Sequence, residues 1–278
     1  MYPISKHDAL IATLAYGDIF DYSLTRQEII RWFLYYPIRS VPRGFGSRAK
    51  HEKVSWQKCK WMIAEKASRW LLLVPTIKLV GVTGGLAMNN AGKGDDIDLF
   101  FIVADGTLWV SRMIAILLMD MLGLRRHPKD TSVADKVCLN MFMTARFTCL
   151  PESDRDCYTA HEVLQMVPIW EQEGTYRKFL QSNRWVAKYL PNAWKDNKMT
   201  VVTKMYMSFP LVIFFMRLFE WPAKYLQLLY MARHRTSEVI TDTMLRFHPR
   251  DARVWVKRKL SARLAKFHIP LDKVFYAS

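Results

Sequence analysis

The most informative segment of this 278-residue chain is residues 78–103, which read KLVGVTGGLAMNNAGKGDDIDLFFIV. An apolar strand leads into the pair Gly84 and Gly85, and a glycine-rich loop then returns to a second apolar strand that begins with Asp96 and Asp98. Because side chains alternate along a strand, the two aspartates project from one face while the residue between them enters the core. The segment therefore predicts two strands of one sheet with a polar site between them.

The aspartate pair predicts a cation site. Two neighbouring carboxylates repel each other unless a cation lies between them. Oxygen ligands of this kind suit Mg²⁺ or Mn²⁺, which bind one or two carboxylates and complete their coordination with water and substrate phosphates. Gly84 and Gly85, at the turn from strand to helix, let backbone N–H groups approach an anion closely. We therefore expect a divalent cation at Asp96 and Asp98 that faces a phosphate group at the glycine pair.

Two further polar residues flank this motif. Thr83 can hydrogen-bond a ribose or a phosphate, or cap the short helix that follows it. Lys93, in the loop before the aspartates, can reach a phosphate, although loop lysines are more often simply solvated. Both residues are candidates for nucleotide binding.

The glycine pair and the aspartates, with apolar strands on both sides, resemble the signature of the DNA polymerase β-like nucleotidyltransferase superfamily. The resemblance covers about residues 75–145. A wider likeness to an uncharacterised bacterial and archaeal branch extends to Asp18–Thr25, Val137–Phe142, Thr159–Glu162 and Arg246–Pro249. The resemblance implies that Gly84 and Gly85 bind phosphate and that Asp96 and Asp98 bind metal. It also implies that an NTP is the substrate, with its NMP transferred to an acceptor hydroxyl.

The chain departs from that superfamily at the third carboxylate, which normally lies on the next core strand, because Asn140 stands there. An asparagine amide oxygen can bind a metal, but the substitution removes one negative charge. Three possibilities stay open: a single-metal enzyme, an enzyme whose base comes from elsewhere in the chain, and a nucleotide-binding protein without turnover. The resemblance makes Glu162 the candidate base by position, although Thr159 and Glu162 also match a capping box that would only close a helix.

The remaining sequence predicts an α+β fold. Short apolar runs rich in β-branched or aromatic residues predict strands at Ile77–Val82, Ile97–Val103 and Val137–Phe142. We expect an amphipathic helix at Leu108–Leu122 and helix throughout after Pro151. The helical segments expected there are residues 159–166, 175–189, 201–231, 237–247 and 251–267.

Three units are predicted along the chain. Residues 1–53 form a helical, winged-helix-like module with its linker, residues 54–150 a small mixed-sheet nucleotidyltransferase core, and residues 151–278 a helical C-terminal bundle. In the first unit, Thr25–Glu28 is a capping box that starts a helix. A helical lid packed on the core is the alternative interpretation of that unit.

The chain is strongly basic, since 41 Lys and Arg against 25 Asp and Glu give a formal net charge of +16. This balance predicts a polyanionic partner such as nucleic acid, nucleotide phosphates or an anionic membrane surface. A helix from residue 251 would separate an apolar stripe, Val256, Leu260, Leu264 and Phe267, from the cations Arg253, Lys257, Arg258 and Arg263. That basic face could hold a nucleic-acid backbone or be solvated. The alternative function is therefore a catalytically impaired, nucleotide-sensing regulatory protein associated with nucleic acid.

The cysteines, the beginning of the chain and its most apolar segment bear on the cellular location of the protein. Four scattered cysteines without a CxxC pair argue against a structural zinc site and a disulfide framework. No signal sequence opens the chain, so we expect a cytoplasmic protein. Met205–Met216 contains twelve uncharged residues, fewer than the roughly 20 that a membrane-spanning helix needs. We expect a buried helix there and no integral membrane segment, with contact to a membrane surface as the alternative.

Overall fold

A computed structural model describes residues 3–46, 54–127, 130–197, 210–232, 239–247 and 252–276. Within these residues the fold is mixed α and β, built on one six-stranded sheet. The strands are β1 (Ile77–Val82), β2 (Ile97–Val103), β3 (Val137–Thr144), β4 (Val167–Glu171), β5 (Val239–Ile240) and β6 (Met244–Arg246). The helices are α1 (Lys6–Asp18), α2 (Arg26–Arg31), α3 (Val54–Leu71), α4 (Gly84–Ala87), α5 (Leu108–Met121), α6 (Cys157–Gln165), α7 (Thr175–Ser182), α8 (Pro191–Asp196), α9 (Pro210–Leu218), α10 (Glu220–Ala232), α11 (Ala252–Ala265) and α12 (Leu271–Phe275).

The sheet has the strand order β4-β1-β2-β3-β6-β5. Strands β2 and β3 are parallel and are joined through α5, as a parallel connection requires. All other neighbouring pairs are antiparallel. The parallel pair therefore lies at the centre of the sheet, and the beginning of β2, where the aspartates stand, lies beside the beginning of β3.

Helices cover both faces of the sheet. On β2, Phe100 and Ile102 belong to an apolar core shared with α1, α2, α6, α7, α8, α11 and α12. Leu99, Phe101 and Val103 belong to a second core shared with α3, α5 and α10. A strand buried on both faces has no polar side to alternate with, which explains the continuous apolar run of β2.

The predicted central strands are confirmed. Strands β1 and β2 have the predicted ends, and β3 extends two residues past its predicted end to Thr144. The capping box is also present, with the side chains of Thr25 and Glu28 each accepting from the other residue's backbone N–H. These elements were predictable because each depends on local alternation or local capping.

The prediction of helix throughout after Pro151 is wrong. Strand β4 pairs with β1, and β5 and β6 stand where a helix over residues 237–247 was expected. These short strands form because β1 and β3 would otherwise present unpaired edges. Residues from all three predicted units, for example Leu10, Phe100 and Leu180, share one apolar core. The boundaries after residues 53 and 150 stay predictions.

The prediction of a buried helix at Met205–Met216 is also wrong in the part that the structure describes; residues 205–209 lie outside it. Helix α9 has no buried residue, and α10 buries only Ala223, Gln227 and Met231. The exposed apolar surface of α9 and α10 consists of Leu211, Val212, Phe214, Phe215, Leu218, Phe219, Trp221, Tyr225, Leu226, Leu229 and Tyr230. Among the described helices, none combines the length and the apolar character that crossing a membrane requires.

The C-terminal helix α11 agrees with its predicted stripe at three positions. Val256, Leu260 and Leu264 are fully buried, whereas Phe267 is exposed because α11 ends at Ala265 and the helical period no longer applies. The predicted start of this helix at residue 251 lies outside the described residues.

The predicted basic face of α11 is only partly free. Arg253 forms an ion pair with Asp154, and Arg263 forms one with Asp18 at 2.9 Å. The ammonium of Lys257 lies 4.8 Å from the ring centroid of Phe275. Three of the four cations predicted to face outward thus have partners within the chain.

Candidate active site

The aspartate pair forms a compact polar cluster with a residue that the sequence interpretation missed. The ligand atoms of Asp96, Asp98 and Cys138 all lie within 4.8 Å of one another. Asp98 and Cys138 are register partners in the parallel pair of β2 and β3, so their side chains leave the same face. The sequence does contain a signal for Cys138. Side chains alternate along a strand, so Cys138 is expected on the same face of β3 as Asn140.

The glycine turn packs directly against this cluster. The backbone N–H of Thr83 donates to the carbonyl of Asp98 at 2.9 Å. Gly84 has a φ of +65°, and a Cβ there would lie 2.5 Å from Oδ2 of Asp98. Helix α4 has only four residues, too few for a substantial helix dipole. An anion would therefore bind this turn through close contact with the backbone.

Asp98 has a strongly altered acidity. Burial, followed by the negative charge of Asp96, raises the pKa of Asp98 from 3.8 to about 7. The thiol of Cys138 donates a hydrogen bond to Asp98 and partly offsets this rise. Burial and the two aspartates raise the pKa of the Cys138 thiol well above its usual value, so the thiol stays protonated and acts as a donor.

Arg126 is a second cluster residue that the sequence interpretation did not place here. Its guanidinium donates to Oδ2 of Asp96 at 2.6 Å. The backbone N–H of Arg126 donates to the carbonyl of Val137 at 2.9 Å, which positions the residue beside the beginning of β3. Arg125 precedes it in the chain. Only Arg126 reaches the site, since Arg125 forms an ion pair with Asp120.

Glu162 lies near the aspartates despite its distance in sequence. The cap of α6 is Asp156, whose side chain accepts from the backbone N–H of Thr159 at 2.8 Å. The capping-box interpretation of Thr159 and Glu162 is therefore wrong, and Glu162 lies in the second turn of the helix. Burial and the charge of Asp98 raise the pKa of Glu162 from 4.5 to about 7. A carboxyl group with that pKa can accept or donate a proton near neutral pH.

Asn140 lies further along β3 at an irregularity in the strand pairing. Leu99 pairs with Leu139 and Phe100 with Met141, so Asn140 is the extra residue of a bulge. Asn140 is 6% exposed, and its Oδ1 has no hydrogen-bond partner among the described residues. Its predicted role as a metal ligand stays a prediction.

A cavity of about 80 Å³ lies beside Asn140, and two arginines from the C-terminal region line it. Glu162 and Thr83 also line this cavity. Arg246 and Arg253 donate to the two carboxylate oxygens of Asp154 at 3.0 and 2.7 Å. The carboxylate of Asp156 also interacts with the charge of Arg253, so acidic groups surround both arginines.

A buried lysine braces the loop that leads to the aspartates. Nζ of Lys60, fully buried on α3, donates to the carbonyl of Asp95 at 2.6 Å and to Oδ1 of Asp135 at 2.7 Å. The sequence interpretation missed Lys60 because a lysine on an amphipathic helix is normally solvated. By contrast, Nζ of the candidate Lys93 lies 5.1 Å from the ring centroid of Trp56, and its role in nucleotide binding stays a prediction.

The donor set fits a hard divalent cation. The raised pKa of Asp98 indicates that the positive charge of Arg126 does not fully compensate two ionised carboxylates at Asp96 and Asp98. A divalent ion would supply that compensation, and carboxylate oxygens are the ligands that Mg²⁺ and Mn²⁺ prefer. Asp96 and Asp98 are therefore the residues that would hold it, while the protonated Cys138 would not.

Comparison of the chain with family models, with curated proteins and with solved structures finds no match. What this site does is therefore inferred from its geometry and from the resemblance of its motif.

Proposed function

We propose that the protein is a nucleotidyltransferase that depends on Mg²⁺ or Mn²⁺ and moves an NMP from an NTP to an acceptor hydroxyl. The observation that carries the proposal is the position of Asp98. Its carboxylate contacts the glycine turn at Gly84, clusters with Asp96, and raises the pKa of Glu162. One residue thus joins a candidate phosphate turn, a candidate cation site and a candidate base.

Each of these groups has a role in the proposed reaction. The acceptor oxygen attacks the α-phosphorus, the bond to the pyrophosphate breaks, and the acceptor hydroxyl loses its proton to Glu162. The backbone N–H groups of Gly84 and Gly85 would bind the phosphate oxygens. Asp96 and Asp98 would hold the divalent cation, which when bound stabilises the charge on the phosphate oxygens.

Glu162 also favours one of the three possibilities that Asn140 left open. A general base must lie within reach of the reacting hydroxyl and have a pKa near the working pH. Glu162 combines a pKa of about 7 with proximity to Asp98. The enzyme would therefore take its general base from α6, at Glu162, instead of from β3.

The first experiment measures nucleotide binding by calorimetry with and without Mg²⁺. We expect the wild type to bind a non-hydrolysable NTP analogue only with the metal. The double variant Asp96→Ala, Asp98→Ala should lose this binding, whereas Asp242→Ala, which removes a side chain that is 87% exposed, should retain it. Unchanged metal-dependent binding in the double variant would falsify the assignment of the site.

Turnover is tested separately, through pyrophosphate release in the presence of pooled hydroxyl acceptors. Glu162→Gln should keep metal-dependent nucleotide binding and lose at least about 100-fold in release, the usual contribution of a general base. If the wild type binds nucleotide and releases no pyrophosphate with any acceptor, the nucleotide-sensing alternative is favoured.

That alternative includes nucleic-acid binding through the basic C-terminal face. Arg258 and Lys259 are exposed on α11, and the ammonium of Lys259 lies 5.3 Å from the ring centroid of Trp255. Arg253, Lys257 and Arg263 have partners in the chain. Binding to a polyanion weakens with salt in proportion to the number of phosphates contacted. A filter-binding titration with single- and double-stranded nucleic acid measures that slope, and a slope near zero removes nucleic acid as a partner.

The exposed apolar surface of α9 and α10 favours a second candidate function, contact with an anionic membrane surface. Large apolar side chains including Leu211 and Trp221, 74% and 77% exposed, project from this surface. Phe, Trp and Tyr at the surface of a chain with a net charge of +16 are typical of interfacial binding. Glu220 attaches α10 to α5, because its carboxylate accepts hydrogen bonds from the backbone N–H groups of Trp109 and Val110.

Vesicle flotation tests this candidate. We expect the protein to float with phosphatidylglycerol vesicles and the variant Phe215→Glu, Leu218→Glu to remain in the soluble fraction. Leu73→Glu, at an exposed apolar residue outside this surface, should float like the wild type. Equal recovery of all three proteins in the soluble fraction would exclude membrane contact through α9 and α10.

A further inference from the structure

A cavity of about 420 Å³ lies outside the aspartate cluster. It is enclosed by α1 and α2 on one side and by the ends of α4, α6 and β4 on the other. A volume of this size is typical of pockets that hold a small organic ligand. The N-terminal helices therefore help to form a cavity large enough for such a ligand.

One wall of this cavity is aromatic, and the guanidinium of Arg31 lies 5.0 Å from the ring centroid of Trp32 in it. The rings of Tyr16 and His161 are stacked with centroids 3.9 Å apart, and Trp32 lies 5.8 Å from His161. Burial lowers the pKa of His161 to about 4, so the imidazole is neutral at physiological pH. Such a wall favours a flat aromatic ligand, because rings pack in offset or tilted stacks.

Two polar atoms of the cavity lining lack partners. Nε of Arg31 and Oε1 of Gln165 are buried and have no hydrogen bond within the described part of the chain. Buried polar groups in folded proteins nearly always have partners. One of these atoms is a donor and the other an acceptor, so a complementary ligand presents an acceptor and a donor of its own.

The cavity is linked to the aspartate cluster through two elements. Helix α4 begins at Gly84, beside Asp98, and its end at Met88 lines the cavity. On α6, Gln165 follows Glu162 by three residues, which is about one helical turn. A ligand in the cavity is thus held by the same two elements that hold the candidate phosphate turn and base.

We propose that this cavity is the nucleobase pocket of the nucleotide whose phosphates lie at Gly84, an inference that rests on the proposed function. Nucleobases are flat heteroaromatic rings that carry hydrogen-bond donors and acceptors on one edge. The base stacks on the wall formed by Tyr16, His161 and Trp32, receives a hydrogen bond from Arg31 and donates one to Gln165. Arg31 and Gln165 are then residues that determine which NTP is preferred.

The experiment compares three kinds of probe by calorimetry: each NTP with Mg²⁺, each nucleoside without metal, and inorganic tripolyphosphate with Mg²⁺. Arg31→Met and Gln165→Leu should lower the affinity for NTP and nucleoside at least 10-fold and change the affinity for tripolyphosphate less than two-fold. Met88→Trp, which fills the cavity and keeps both polar groups, should act in the same way. The exposed residues Arg39 and Gln181 provide the controls Arg39→Met and Gln181→Leu, which should bind every probe like the wild type.

The outcomes separate the pocket from the reaction. If NTP binds the wild type and the folded pocket variants equally well, the pocket is overturned and the proposed function stands. If nucleosides bind and are lost in the pocket variants, while Asp98→Asn leaves every metal-dependent affinity unchanged, the pocket stands and the proposed function is overturned. If neither nucleosides nor NTPs bind the wild type, both are overturned.

Discussion

A methyl group on Gly84 would lie 2.5 Å from Oδ2 of Asp98, so the glycine turn and the second aspartate of the motif are in direct contact. Fourteen positions separate the two residues along the chain. The backbone hydrogen bond from Thr83 to Asp98 holds them at this distance. The two halves of the motif are therefore one structural unit, and a change in either half disturbs the other.

Gly84→Ala should destabilise the protein, and Gly85→Ala should not. At Gly84 the left-handed backbone alone costs a Cβ-bearing residue about 1–2 kcal/mol, and the contact with Asp98 adds to this. At Gly85 a Cβ would meet its nearest neighbours at 3.7 Å, an ordinary contact. Urea unfolding measures both variants, and equal stabilities for the two would contradict the described turn.

Stability should fall as the pH rises from about 4 to about 7 in the absence of divalent metal. The pKa values of Asp98 and Glu162, 3.8 and 4.5 in ordinary surroundings, are raised to about 7 in the folded protein. For these two groups the folded state binds more protons than the unfolded state in this window. Their combined effect exceeds the opposite effect of His161, whose pKa is lowered from 6.5 to about 4, so the free energy of unfolding decreases with pH and levels off above about 7. Thermal unfolding across this range measures the effect.

Two variants and one addition test the source of that decline. Asp98→Asn should flatten the decline, because the amide does not ionise, whereas Glu65→Gln, at an exposed position of α3, should retain it. Mg²⁺ should stabilise the wild type more at pH 8 than at pH 6, because the metal binds ionised carboxylates. A decline that is the same in Asp98→Asn as in the wild type would rule out this origin.

Asp154→Ala should cost about 3–5 kcal/mol, the usual effect of removing one partner from a buried ion pair. The substitution leaves Arg246 and Arg253 without the carboxylate that joins β6 and α11. Asp242→Ala removes an exposed partner of Lys224 and should cost less than about 1 kcal/mol. Chemical denaturation distinguishes the two, and similar losses would show that the buried cluster contributes no more than a surface pair.

Lys60→Met should destabilise the protein by about 1–3 kcal/mol, because the carbonyl of Asp95 and the carboxylate of Asp135 each lose a hydrogen bond from the buried ammonium. The same variant should weaken metal-dependent nucleotide binding, since Lys60 positions the loop that ends at Asp96. Lys58→Met, at an exposed position two residues earlier, should change stability by less than about 0.5 kcal/mol. Normal nucleotide affinity in a folded Lys60→Met protein would exclude this positioning role.

The parts of the fold that could be predicted are those with local causes. Strands β1 and β2, the capping box at Thr25 and the aspartate pair depend on alternation, capping chemistry and spacing within a few residues. Strands β4, β5 and β6 have at most five residues each, too few for a clear period. They form because a distant strand edge is available to pair with, and that edge exists only after the chain has folded.

The candidate site divides in the same way. Residues 78–103 alone indicated Gly84, Gly85, Asp96 and Asp98, because a tight turn and two adjacent carboxylates are features of consecutive residues. Which side chains surround them was settled by the fold. Helix α6 brings Glu162 to Asp98, the parallel register brings Cys138, and the loop after α5 brings Arg126. Distances and pKa values of such groups depend on burial and on charges from remote segments, which no local pattern of residues contains.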